Sequence, residues 1–173
     1  MPALYQQLIV QARKLACMDK RRPGQGNLRR SVSTAYYALF HFLIEQSCRQ
    51  HVGGAQADEG FRTLMWRAFS HGVMYDAAKT FAGGTLPKIV TRSVGSLTVH
   101  PDLKALSQLF LDAQDQRHQA DYDMTIRFVR AEVEGLIDRI EQAFARWPGI
   151  QNQNSSRLFL MALLLWKQVK DRP

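Results

Sequence analysis

From Leu4 to Trp166 the apolar residues of this chain recur, segment after segment, at the three- and four-residue spacing of helices buried on one side. Leu4, Leu8, Ala12, Leu15 and Ala16 predict a first helix over 3–19. The run RRPGQGN (21–27) then breaks the chain with one Pro and two Gly, and a long helix is predicted over roughly 27–50. A third is expected over about 58–79, entered from Asp58 and closed near Gly83-Gly84. Pro101 suits the first position of a fourth helix, about 101–119, with DYD (121–123) as a kink or interruption. The fifth carries the stripe Val129, Val133, Leu136, Ile140 and Phe144 and is stopped by Pro148-Gly149. No parallel-sheet pattern and no internal repeat interrupt this series. The expected fold class is therefore all-α, an up-down antiparallel bundle of about five to six helices in a single domain over 1–173.

Two segments depart from the pattern. Residues 80–100, TFAGGTLPKIVTRSVGSLTVH, are β-branched, Gly-rich and aperiodic, and predict a long loop or small excursion. The run LFLMALLLW (158–166) is apolar on every side. At nine residues it falls well short of the ~20 that span a bilayer. It is expected as a C-terminal helix at about 156–169, buried on several sides or held at a subunit interface. The N-terminus, MPALYQQLIVQARK, lacks the uninterrupted apolar core of a signal peptide. Cys17 and Cys48 show no CxxC or His pairing, so a reduced, cytoplasmic setting is the simplest expectation, with a disulfide as the alternative. No membrane association is expected.

Charge narrows the class of partner. The net charge is +8, and the segment from Arg13 to Arg30 holds Arg13, Lys14, Lys20, Arg21, Arg22, Arg29 and Arg30 against the single acid Asp19. Such a concentration suits a polyanion, either a nucleic acid or a nucleotide phosphate; the alternative is a solvated helix end and loop. An apolar share of 46% and a charged share of 22% are globular values and exclude wholesale disorder. There is no GxSxG, P-loop, GxGxxG or HExxH motif, and the five histidines are too dispersed for a metal site. Neither a metal nor a cofactor is expected.

The chemistry-bearing residues gather in two places. In RRSVSTAYYALFHFL (29–43), Val32, Tyr36, Leu39, Phe40 and Leu43 form an apolar arc, and Arg30, Thr34, Tyr37 and His41 form one polar stripe along its edge. An aligned stripe beside a core face either rims a cleft or hydrogen-bonds to another helix. On the fourth helix Leu106, Phe110, Ala113 and Arg117 share a face, so a guanidinium continues an apolar row and calls for a partner. Asp121 stands one turn further on, with His118 and Tyr122 beside it. The two groups meet across a groove or form a buried network that fixes helix packing. Arg67 and His71, one predicted turn apart, make a weaker pair.

The segments RRSVSTAYYALFH (29–41) and RHQADYD (117–123), in this order and separation, resemble the HEPN superfamily (higher eukaryotes and prokaryotes nucleotide-binding domains). The first is similar to an R-x-x-x-S-x-A-Y-Y-A-x-F-H helix and the second to an R-x-x-A-D-Y-D element. The resemblance implies a helical bundle, often a homodimer, that binds RNA or a nucleotide. It also implies a toxin or defence role, with metal-independent endoribonuclease activity in many members. Their usual signature is R-x4-6-H, in which Arg holds the phosphate and His transfers protons. Here Asp121, Tyr122 and Asp123 occupy those places after Arg117, and His118 is adjacent instead. If the chain cuts RNA, the expected catalytic set is Arg117 with His118 or His41. Arg30, Ser33, Tyr37, Asp121 and Tyr122 would bind or orient. The alternative is a non-catalytic module that dimerises and partners a nucleotidyltransferase, an antitoxin or another protein.

Overall fold

The computed structural model describes residues 2–54 and 59–170. Eight helices occur among the described residues: α1 (Leu4–Ala16), α2 (Gln25–His51), α3 (Glu59–Ala68), α4 (His71–Gly83), α5 (Lys88–Val94), α6 (Pro101–Tyr122), α7 (Arg130–Ile150) and α8 (Asn154–Lys170). No strand is found among these residues, and none of their helices is long and apolar enough to cross a membrane. The all-α expectation holds, with more and shorter helices than the five to six anticipated.

The differences have local causes. The expected third helix is two, because Ser70 takes an extended backbone and its side chain accepts the Val73 N–H, which starts a new helix. Its expected entry at Asp58 lies outside the described residues. This break also places Arg67 and His71 on different helices, so the single-turn pairing expected for them does not exist. The aperiodic 80–100 segment contains α5, which enters from Pro87 and buries only Val90, too little for a readable stripe. Pro148 lies inside α7, and the Gln151 N–H still reaches the Trp147 carbonyl at 2.9 Å, so the helix passes the expected stop. Val129 precedes α7 and is largely exposed; its carbonyl accepts the N–H groups of Glu132 and Val133. Helix α8 starts at Asn154, two residues before the C-terminal helix expected at about 156–169.

The chain divides into two compact units. The first comprises Met1–Phe42 and Leu109–Ala145. Its core includes Leu28, Val32, Leu39, Phe110, Leu136 and Ile140, all but fully buried. Each such side chain contributes about 1.5–3 kcal/mol on leaving water. Tyr5, Phe42 and Phe144 close one side, with ring centroids 4.4–5.2 Å apart. Arg13 ties α1 to α7 through Asp138 (2.5 Å) and Glu141 (2.7 Å). The stretch between α6 and α7 has no ladder of its own and borrows partners from α2. The Gln25 carboxamide donates to the Phe128 carbonyl (2.9 Å) and accepts its N–H (3.0 Å). Arg29 donates to the carbonyls of Gln119, Ala120, Asp123 and Ile126 at 2.5–3.3 Å. Gln119 and Ala120 lie in the last turn of α6, and Asp123 and Ile126 lie in the connection beyond it.

The second unit comprises Leu43–Gln108 and Arg146–Pro173. Here α4 packs on α8, with Phe81 against Phe159 (5.0 Å) and Trp166 (6.2 Å). Leu158, Leu160, Ala162 and Leu163 are also buried, so the all-apolar run is covered on several sides within this unit. The Trp147 indole donates to Gln46 (3.0 Å), and Arg62 bridges the Gly53 carbonyl and Glu45. Cys17 and Cys48 are free thiols, the first exposed and the second buried.

Candidate functional site

The two residue groups singled out in the sequence come together in the first unit. Helix α6 continues to Tyr122, so Asp121 lies one turn beyond Arg117, and the Arg117 Nε is 2.8 Å from Asp121 Oδ2. From α2, Tyr37 brings its hydroxyl within 3.2 Å of the Arg117 Nη2 donor. The guanidinium carbon stands 5.7 Å from the Tyr37 ring centre and 5.8 Å from that of Tyr122. Ser33, buried on the same side of α2, donates to Asp121 Oδ1 at 2.5 Å. Arg117, Asp121, Ser33 and Tyr37 thus form one continuous polar chain across two helices.

Electrostatics fix the charge at its centre. Burial opposes the Arg117 cation, but Tyr37 and Asp121 outweigh it and raise its pKa above the ordinary arginine value. The guanidinium therefore holds charge and cannot act as a proton donor. Its side chain is 22% exposed and that of Asp121 is 25% exposed, so the pair sits at the surface edge rather than in the core. Beneath it, the Tyr36 hydroxyl donates to Gln114 at 3.2 Å, and burial pushes the Tyr36 phenol far up, so it stays neutral.

The two candidate imidazoles are placed differently. His118 is exposed, with its ring 5.0 Å from Tyr122 on the outer side of α6. His41 lies one turn beyond Tyr37, their rings 6.5 Å apart. Tyr37 is thus a neighbour shared by Arg117 and His41. Tyr122 is 66% exposed and presents an aromatic face between Arg117 and His118.

The basic segment separates into two kinds of residue. Arg13 is bound to two carboxylates and Arg29 to four backbone carbonyls, so both are committed to holding elements together. Lys14, Lys20, Arg21, Arg22 and Arg30 are exposed, and none enters an ion pair among the described residues. Asp19, the one acid in the segment, is turned to the Gly24 N–H (2.7 Å) and the Asn27 carboxamide (2.9 Å). Gln25 and Gln114 also shape this region. Neither has a sequence signature, because their partners lie about 80 to 100 positions away.

Among the described residues no group of three or more His, Cys, Asp or Glu side chains is placed to hold a metal ion. No family model, curated protein or solved structure matches this chain.

Proposed function

We propose that this chain is an HEPN-like helical bundle domain that binds RNA or a nucleotide. The observation that carries the reading is the exposed set Lys14, Lys20, Arg21, Arg22 and Arg30, which the fold leaves without carboxylate partners among the described residues. Phosphates would be held there by charge. Arg117 and the exposed Tyr122 ring supply a cation beside an aromatic face, the combination on which a splayed base stacks. Asp121 and Ser33 hold the guanidinium in place and leave its charge half-neutralised, which favours binding over strong phosphate activation. Cleavage, if it occurs, would be metal-independent and would use His118 or His41 for proton transfer beside Arg117. Homodimerisation, a cytoplasmic location and a toxin or defence role accompany this reading.

A short labelled single-stranded RNA, titrated at increasing salt with product analysis in EDTA, tests it. Affinity should fall steeply with salt, and Arg117→Ala should weaken binding further. Metal-independent products that Arg117→Ala abolishes would assign the ribonuclease step. A folded sample that neither binds nor cuts at low salt would overturn the proposal.

A second reading, a non-catalytic module that docks on a protein, is favoured by α3. None of its residues is buried, and Phe61 and Leu64 are 63% and 64% exposed on one side of an amphipathic helix. Under that reading Leu64→Asp should shift the mass measured by light scattering, or abolish pulldown of a nucleotidyltransferase or antitoxin partner, without lowering the melting temperature.

A further inference from the structure

The second unit contains a recess of about 520 Å³, within the ~300–1,000 Å³ range of small-molecule sites. It is bounded by the end of α2, the residues at and after the end of α5, and the first two turns of α8. Its lining includes the aliphatic side chains of Val94, Leu97, Leu158 and Met161. It also includes Arg157 and His51, with Asn154 at the start of α8. Among the described residues no acidic side chain lines it and Arg157 enters no ion pair. Burial, and then the charge of Arg157, hold the His51 imidazole below its ordinary pKa. The two side chains therefore address the same space, and His51 offers hydrogen bonds there without adding a second charge. The opening turn of α8 adds the positive end of a helix to the same side.

We infer that this recess binds a small aliphatic carboxylate, its head on Arg157 and its chain along Val94, Leu97, Leu158 and Met161. One guanidinium matches one carboxylate in a two-point fork, whereas a phosphate dianion calls for a second cation that the lining does not supply. Among the described residues no Phe, Tyr or Trp ring lines the recess, so a nucleobase has only the small His51 imidazole to stack on. An aliphatic chain instead covers Val94, which is 49% exposed. The site is separate from the Arg117 cluster and does not depend on its role.

Isothermal titration calorimetry on the full chain with octanoate, inorganic phosphate and adenosine monophosphate tests the assignment. Octanoate should bind and the other two should not displace it. Arg157→Met should weaken octanoate by about tenfold or more, the loss expected for one charge-assisted contact. Val94→Trp, which fills the mouth from an exposed position, should block binding with the melting temperature unchanged. The inference is overturned if octanoate gives no saturable heat, or if either folded variant binds it as the parent does. Displacement of octanoate by phosphate or adenosine monophosphate would also overturn it.

Discussion

Arg117 stands where an apolar helix face reaches the surface, and its place in the chain already implied a partner. The i, i+4 position of Asp121 was legible because only helix continuation was needed to join them. Ser33 and Tyr37 were legible as neighbours but not as the donor to Asp121 and the acceptor from Arg117, since the register between α2 and α6 is not written in either segment. Removing the guanidinium takes the ion pair from the Asp121 carboxylate and leaves it the Ser33 hydroxyl as donor. Arg117→Ala should therefore cost about 1–2 kcal/mol in urea unfolding, at the lower end for a charged pair because both groups are partly solvated. Asp121→Asn should cost less in that background than alone, a non-additivity that a double-mutant cycle reads directly. Asp123 makes a separate prediction. The Thr125 hydroxyl, then the Thr125 N–H, hold its carboxyl below the usual range. Its stabilising contribution is complete above about pH 4 and fades as pH falls through the depressed pKa. Asp123→Asn should flatten that part of the acid limb when melting temperature is followed from about pH 5 to about pH 2.

At the scale of elements, long helices with a continuous stripe were the readable ones. Helix α2, expected over 27–50, spans Gln25–His51, and α6 starts at Pro101 as expected. What escaped was decided by single residues. Ser70 starts α4 through one side-chain acceptor, and α7 continues past Pro148 with the buried Trp147 and Ile150 on either side of it. Helix α5 buries one side chain, so periodicity had nothing to register. The end of α4 was marked by Gly83-Gly84, and Gly84 adopts φ +74° while its N–H closes onto Thr80 and Phe81. A side chain there meets left-handed strain and the Lys104 side chain, which is flexible enough to move aside. Gly84→Ala should lower stability by about 1–2 kcal/mol in chemical denaturation.

For the molecule as a whole, the net charge of +8 described a tendency, and the fold decides which charges are available for it. Five of the seven basic residues between Arg13 and Arg30 remain exposed, while the committed two could not be separated from them by sequence. If all five contact phosphates, the slope of log affinity for single-stranded RNA against log salt should be about −3.5. Reversing Lys20, Arg21 and Arg22 to Glu should bring it towards −1.4 or shallower, on the rule of about −0.7 per contact. The other committed residue, Arg29, has a consequence in time. Its acceptors lie 90 to 97 positions further along the chain. During synthesis from the N-terminus, the donor emerges long before the carbonyls it will serve, and must wait for them. Such distant contacts close after local helices have formed. Arg29→Gln should therefore leave the rate of refolding nearly unchanged and make the finished molecule open faster, so that its lifetime, more than its formation, depends on this one side chain.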